Sequence, residues 1–486
     1  MHQVNIYNTL GRKKEEFKPI KTGEVLMYHC GPTVYWTQHL GNMRAMVLAD
    51  LIVRSFEYIG YQVKLTRNYT DVGHLTSDGD EGEDKMETSA KKEKLDPAQI
   101  ANKYIKVFEN DIHALNITDP EFKPRATEII QDMIRTIQIL IDKGYAYQTD
   151  LAIYFDVSQA KNYTKLSGQK IEEQFKDAGK AQVSDINKKQ PTDFALWFFK
   201  AGKHKNALQY WPSPFISPLV ANGEGFPGWH LECSVMANKF LGGTIDVHMG
   251  GVEHIPIHHT NEIAQSEAVN GVKFVNYWLH NEHLLVNNGK MSKSEGTSYT
   301  LQDIIDKGFN PLALRYFFCQ AHYRSKQNFT WEALDGAQTA LDRLYTFIQN
   351  KPIKEFNTHE EEKNRIHKRN LVLINNYKKE FLTYISDNFN IPAALALIWE
   401  IVKDNLLPHS EKKKLILDFD KVLGLNLNKL KQEKIIIPAE VNKLAEARIL
   451  AKDNKDWAKA DELRNKIAEL GFTIEDSEND FILKKK

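Results

Sequence analysis

The chain has 486 residues, 42% of them hydrophobic, and its 64 basic and 64 acidic side chains cancel. That length suits about three domains, and the absence of net charge excludes a uniformly polycationic binder, so any nucleic-acid contact must use local basic patches. Three cysteines exclude a disulfide scaffold and point to a reducing cytosol, and no basic-then-apolar leader at Met1-His2-Gln3-Val4-Asn5 and no apolar run of about 18 residues appear, so a soluble cytoplasmic protein without a membrane partner is expected.

In chain order, Val25 to Tyr28 reads as a short buried strand followed by a turn at Gly31-Pro32. A helix is expected from about Met43 to Tyr58, because Leu48, Ile52, Phe56 and Ile59 recur at helical spacing. Gly60 closes it, and Val63 and Leu65 open another strand. Strand, helix, strand is the unit of a parallel α/β sheet. The acidic stretch Asp78 to Asp84 lacks the ligand order of a calcium loop and reads as an exposed loop. Helices are expected at about 97–115 and 124–143.

Residues 145–227, with short strands such as Ala152-Ile153-Tyr154-Phe155 and the proline-rich Trp211-Pro212-Ser213-Pro214, read as an insertion. Strand signal returns at Thr244 to His248, ending in Met249-Gly250-Gly251, and beyond about residue 310 the pattern is almost wholly helical. A lysine-rich connector at Asn426 to Pro438 leads to a terminal module in which Trp457, Ala460, Leu463, Ile467 and Leu470 mark one amphipathic helix.

Two kinds of chemistry stand out. His258 and Glu262 are four residues apart, so on a helix they share a face, and with Cys30 and Cys233 they make a possible zinc set of two thiolates, one imidazole and one carboxylate. The spacing alone is more readily that of a solvated helical pair and two core cysteines, since the donors come from three distant segments. His39-Leu40-Gly41-Asn42 falls between a strand and a helix, where an α/β sheet places phosphates against free N–H groups. Lys290-Met291-Ser292-Lys293-Ser294, bounded by Gly289 and Gly296, suits a loop that clamps triphosphate oxygens, although a short charged run is also an ordinary solvated turn.

Taken together these strings resemble the paired nucleotide signatures of class I aminoacyl-tRNA synthetases. Cys30-Gly31-Pro32-Thr33-Val34-Tyr35, Gly228-Trp229-His230-Leu231-Glu232-Cys233 and His258 through Ser266 resemble the zinc-site segments of the cysteinyl-tRNA synthetase family. The likeness continues through His322-Tyr323-Arg324-Ser325 and Asp456 to Asp461, so it spans the chain.

The resemblance implies an α/β fold: a Rossmann-type parallel-sheet catalytic domain with an inserted connective domain, then an α-helical bundle and a small C-terminal tRNA-binding module. Its boundaries would be 1–144 and 228–300 for the two catalytic halves and 145–227 for the insertion. A stem-contact region at 301–345, a bundle at 346–428 and an anticodon-binding module at 429–486 would follow. It implies one Zn²⁺ held by Cys30, Cys233, His258 and Glu262. The motif Pro32 to Asn42 with His39, Gly41 and Asn42, the motif Lys290 to Ser294 with Lys290, Ser292 and Lys293, and Gly250 and Gly251 would serve ATP. Trp229, His248 and Thr70 would shape the amino-acid pocket.

The implied activity is that of a ligase: cysteine and ATP, with Mg²⁺, give cysteinyl-adenylate and pyrophosphate, and tRNA(Cys) accepts the cysteine. Zinc would distinguish the thiolate of cysteine from the hydroxyl of serine, a discrimination that shape alone supports by only about 1–3 kcal/mol. A monomer is expected. The sequence departs from the family at Asn42, where a second histidine is usual, in the long acidic stretch Asp78 to Lys94, and in Val252 to Ile257, where His254 is a rival ligand. A cysteine:amino-sugar ligase and an inactive RNA-binding relative are the competing readings; residues 345–486 argue against the first, and the intact metal and Lys290 to Ser294 positions argue against the second.

Overall fold

A computed structural model describes all residues except 1, 74, 76–83, 170–184, 293–295, 351–359, 429–438, 455, 478–479 and 486. Contacts divide the chain into one unit of residues 1–427 and a second of residues 428–486.

The first unit begins with a hairpin that the sequence pattern does not signal, β1 (Asn5–Asn8) and β2 (Lys13–Glu16). Then come β3 (Glu24–His29), α1 (Leu40–Ile59) and β4 (Gln62–Arg67). α1 starts three residues before the expected Met43, since His39 caps it, and Gly60 in the left-handed region (φ 109°) ends it. α2 (Lys85–Glu93) is capped by Asp84, and the rest of the acidic stretch from Asp78 lies outside the described residues. α3 (Pro97–Ala114) follows its sequence expectation closely, whereas α4 (Ile130–Asp142) is preceded by a short 3₁₀ turn at Ala126–Ile129.

Residues 146–227 contain an antiparallel sheet ordered β5 (Ala146–Gln148), β6 (Ala152–Phe155), β7 (Phe194–Phe199) and β8 (Gly225–Pro227). Every residue of β6 and β7 is buried, so the run Phe194-Ala195-Leu196-Trp197-Phe198-Phe199 is a central strand with both faces covered.

The chain then re-enters the first sheet. α5 (Trp229–Leu241), β9 (Ile245–Gly251), α6 (His258–Asn270) and β10 (Val275–Asn281) complete a parallel sheet in the order β10-β9-β3-β4. β3 pairs β4 on one side and β9 on the other, in register Tyr28↔His248. Strand order therefore reverses between β3 and β9, and ligands in such sheets bind at that point, outside the carboxyl ends of the strands. Side chains alternate across the sheet: Met27 packs in the apolar layer containing α1, and Tyr28 in the layer containing α5.

β11 (Leu284–Val286) leads to the turn at Asn287 and Asn288, closed by a bridge from Val286 to Gly289, then α7 (Leu301–Asp306), α8 (Pro311–Cys319), β12 (Gln327–Phe329) and α9 (Trp331–Gln349). α10 (Glu360–Ser386), α11 (Ile391–Lys403) and α12 (His409–Leu423) form a bundle in which Phe381 stacks on Phe419 with ring centroids 3.9 Å apart. It shares an apolar core with α1, where Phe56 meets Phe389 and Tyr58 meets Phe381, and a buried ion pair reinforces the contact. Arg315 of α8 places its guanidinium 2.5 Å from the buried Asp50 carboxylate of α1 and donates to the Leu423 carbonyl at 2.6 Å. Arg54 donates to the same carboxylate at 2.7 Å, and the Thr118 amide also donates to it, at 2.8 Å.

The second unit holds α13 (Ala439–Asp453), α14 (Trp457–Glu469) and an unanticipated hairpin, β13 (Phe472–Ser477) with β14 (Asp480–Lys485). The expected helix 457–470 is α14, whose Ala460, Leu463 and Ile467 are buried.

Candidate metal and nucleotide site

Cys30 immediately follows β3, and its amide donates to the Met249 carbonyl of β9 at 3.4 Å. Cys233 lies in the first turns of α5, while His258 opens α6 and Glu262 follows one turn later. All four are buried, with one donor atom each, all within 4.8 Å of one another. Cys30 Sγ is 3.8 Å from Cys233 Sγ, 3.8 Å from His258 Nε2 and 4.0 Å from Glu262 Oε1, and His258 Nε2 is 3.0 Å from Glu262 Oε1. The cysteines are free thiols. A tetrahedral centre with bonds of about 2.3 Å to sulfur and about 2.1 Å to nitrogen or oxygen separates its ligands by about 3.3–3.8 Å, so these spacings fit one small cation.

Neighbours orient each donor. His230 Nδ1 lies 3.0 Å from His258 Nδ1, which turns His258 Nε2 toward the cluster, and Trp229 stacks on the His258 ring with centroids 4.3 Å apart and planes at 13°. His248 Nε2 meets Glu262 Oε2 at 2.9 Å, so the two carboxylate oxygens have separate partners. Asn68 accepts from the Gly31 amide at 2.8 Å and donates to Thr70 Oγ1 at 3.1 Å, and Thr70 in turn donates to Glu232 Oε2 at 2.8 Å. Glu232 is fully buried with no partner for Oε1, and burial, reinforced by Cys233, pushes its carboxyl well above the usual range.

The pocket draws Glu262 and Cys233 toward the deprotonated form and Cys30 and His258 toward the protonated one, burial and the bond with Cys233 pushing the Cys30 thiol well above its ordinary value. Burial raises the Glu262 carboxyl, but His248 and His258 outweigh it and hold it at about 2. The hydrogen bond with Cys30 draws the Cys233 thiol down to about 6. Burial disfavours charge on His258, yet Glu262 and Cys233 hold it up at about 10.

The second locus is the N-terminus of α1. His39 Nδ1 accepts from the Asn42 amide at 3.3 Å, which leaves its proton on Nε2, and no acidic side chain occupies the first turn. Gly41 packs against Met291: a Cβ there would lie 2.4 Å from Met291 Cε and 3.0 Å from His39 Cε1. The Leu40 amide donates to the Tyr299 carbonyl at 2.8 Å, fixing this approach. Lys290 is exposed, and Ser292 exchanges backbone and side-chain bonds with Thr297. Lys293 and Ser294 lie outside the described residues.

The structure thus brings Trp229 and His248 to the four-donor cluster and joins Thr70 to its edge through Asn68 and Glu232. Gly250 ends against histidines, since a Cβ there would lie 2.6 Å from His259 Cε1 and 2.7 Å from His254 Nδ1; Gly251 is the last residue of β9. His254 packs near His258 but supplies no atom to a four-donor group among the described residues. Sequence reasoning missed His230, His259, His280, Asn68 and Glu232. For His230 and Glu232 their places beside Trp229 and Cys233 were a signal; for His280, 18 residues beyond Glu262, there was none.

Residues 16–339 match the family described as tRNA synthetases class I (C) catalytic domain, and residues 437–480 match the cysteinyl-tRNA ligase anticodon binding domain. The chain is 41% identical over 473 residues to a cysteine--tRNA ligase 1 from Burkholderia lata, covering 97% of this chain and 95% of that protein. It is 39% identical over 490 residues to a cysteine--tRNA ligase from Treponema denticola, covering 97% and 98%. In fold it is similar to a LeuRS from Agrobacterium radiobacter solved as a ternary complex with tRNA and LeuAMS (TM-score 0.60, 10% identity, 85% of each chain). A Mycobacterium tuberculosis methionyl-tRNA synthetase with methionyl-adenylate gives a TM-score of 0.53 at 12% identity, over 83% of this chain and 90% of that one. With a parallel sheet carrying its donors at the switch point, a catalytic-domain match over most of its length and near-complete alignment to these ligases, the chain belongs to the cysteine--tRNA ligase family of class I aminoacyl-tRNA synthetases.

Proposed function

We propose that this chain joins cysteine to ATP, releasing pyrophosphate, and passes the cysteinyl group from the adenylate to the terminal ribose of tRNA(Cys). The observation that carries the reading is the Cys30, Cys233, His258 and Glu262 cluster at the carboxyl edge of the sheet, the edge at which His39 also caps α1. Zinc is the ion these donors suit, and when bound it would supply a soft centre that prefers a thiolate to a neutral hydroxyl.

The chain's own residues do the rest. The Gly41 amide at the start of α1 and the Nε2–H of His39 would hold phosphate oxygens, the neighbouring Leu40 and Asn42 amides being engaged by Tyr299 and His39. Asn42 offers a neutral hydrogen bond in the same turn. Lys290, Ser292 and Lys293 would neutralise charge that builds as pyrophosphate leaves, beside Mg²⁺. Gly250 and Gly251 would border the adenosine. Trp229, His248 and Thr70 would enclose the amino acid, His248 by holding Glu262 and Thr70 by its bond to Glu232. No side chain is assigned as a general base, since positioning and charge stabilisation are sufficient for the carboxylate to attack the α-phosphate.

Residues 145–227 would act as the connective insertion between catalytic halves 1–144 and 228–300. The acceptor stem would meet 301–345, the bundle would span 346–428, and 429–486 would read the anticodon. A cytoplasmic monomer is the expected state, and among the described residues no helix is long and apolar enough to cross a membrane. The test is exchange of labelled pyrophosphate into ATP that depends on cysteine, together with charging of tRNA bearing the GCA anticodon. Both should occur; exchange without charging, or neither, overturns the proposal.

A further inference from the structure

The pocket contains a second group of donors. Cys30 Sγ, His248 Nε2, His259 Nε2 and a Glu262 oxygen all lie within 4.8 Å of one another, and all four side chains are buried. Cys30 Sγ is 3.5 Å from His259 Nε2 and 4.0 Å from Glu262 Oε1, His248 Nε2 is 2.9 Å from Glu262 Oε2, and His259 Nε2 is 3.9 Å from Glu262 Oε1. The distances through Cys30 Sγ and Glu262 Oε1 run from 3.5 to 4.0 Å, at and slightly above the edges of about 3.3–3.6 Å expected for mixed sulfur, nitrogen and oxygen ligands on a tetrahedral ion, while His248 meets the other carboxylate oxygen.

The rings are built to face inward. His259 Nδ1 lies 2.8 Å from His280 Nε2, and His280 Nδ1 lies 2.8 Å from Thr9 Oγ1. This relay fixes the His259 ring with Nε2 toward Cys30, as an outer partner does for a ligating imidazole. Gly250 makes the room, because any side chain there would collide with His259. None of this is required by the first set of donors, which uses His258 and its own partner His230.

We infer that Cys30, His248, His259 and Glu262 form a second, overlapping position for a divalent cation, an inference that rests on the reading that this pocket holds a metal. The two positions share Cys30 and Glu262 and exchange Cys233 and His258 for two imidazoles. Two thiolates and a carboxylate around a divalent ion leave a net charge of −1 in the first position. One thiolate and one carboxylate leave the second neutral, the less costly state for a buried site. Zinc takes the first position while both thiolates are present, because sulfur is the softer donor. When Cys233 is lost, the ion moves to the second position and stays in the protein.

Cobalt(II) added to the metal-stripped full-length chain tests this, since thiolate-to-cobalt charge-transfer absorption scales with the number of sulfur ligands. Wild-type protein should bind one equivalent through two thiolates. Cys233→Ala should still bind one equivalent with that absorption cut to about half, as should His258→Asn, and adding His259→Ala to either should abolish binding at the same cobalt concentration. Two variants guard against misfolding of one, and circular dichroism identifies a chain that has not folded. Cobalt binding by wild type but by neither folded single variant would overturn the second position. Retention by the double variants at undiminished affinity would overturn it too. A wild-type chain that binds no cobalt would instead overturn the metal reading itself.

Discussion

Met291 fills the space that a side chain on residue 41 would need: a Cβ on Gly41 would stand 2.4 Å from Met291 Cε. Two positions 250 residues apart in sequence, one in the capped first turn of α1 and one at Met291, are thereby in contact. The glycine does two things at once. It keeps its own N–H uncovered by a side chain at a helix N-terminus, and it lets Met291 pack onto that turn.

Gly41→Ala should therefore spare the fold and harm activation. Met291 Cε is the far end of a flexible side chain, so it can move aside at small cost in stability, but moving it displaces the loop. We expect kcat/KM for ATP in cysteine-dependent pyrophosphate exchange to fall about tenfold, equivalent to about 1.4 kcal/mol of transition-state stabilisation. The midpoint of urea unfolding should be nearly unchanged. Met291→Ala in the same chain should recover part of the loss, and equal activity of Gly41→Ala and wild type would refute the coupling.

Cys30 belongs to both donor groups, so Cys30→Ser should leave no position with a full set of ligands. Metal content, measured by elemental analysis after purification, should fall to background. Cysteine-dependent exchange should fall with it by more than about 100-fold, because the soft donor is replaced by a hydroxyl that stays protonated. Substantial activity in a metal-free Cys30→Ser chain would show that the ion has no part in choosing the amino acid.

His230 is predicted to act on the metal without touching it. Its Nδ1 meets His258 Nδ1 at 3.0 Å and sets which nitrogen of His258 faces Cys30. His230→Phe keeps an aromatic ring, though a larger one, and removes the bond, and should weaken zinc binding by about 10–100-fold in a competition titration with a chelator. Unaltered affinity would mean that stacking on Trp229 alone fixes the His258 ring.

The Asp50–Arg315 pair should be a stability determinant far from the chemistry. Removing one partner of a buried ion pair strands the other, so Asp50→Asn should cost about 3–5 kcal/mol in chemical denaturation. Burial raises the Asp50 carboxyl, but Arg315 and Arg54 outweigh it and place it below its ordinary value. A lowered carboxyl contributes fully above the unfolded value of about 4 and loses its contribution as pH falls through the folded value. The difference in stability between wild type and Asp50→Asn should accordingly be flat from about pH 5 to 8 and shrink only below about pH 4. A difference that grew on acidification would contradict this assignment.

Much of the molecule is written locally. The spacing of Leu48, Ile52 and Phe56 makes α1, the helical spacing from Ala460 to Ile467 makes α14, and His258 with Glu262 on one helical face needs only a 3.6-residue period. The motifs containing His39 and Lys290 were likewise legible, and so was the family. The hairpins β1–β2 and β13–β14 were not, because short, largely polar strands carry little alternation of apolar residues.

Convergence was beyond any local signal. Cys30, Cys233 and His258 meet because the chain, after leaving β4, returns to lay β9 on the far side of β3, which sets Cys30 against Met249 and the helices α5 and α6 on one face. His259 and His280 join the pocket by the same strand order, His280 standing beside Gly250 in register. A sequence fixes the period and chemistry of each segment, since those depend on neighbours a few residues away. Which segments become neighbours depends on the cooperative burial of apolar faces over the whole chain, and only the tertiary structure decides that.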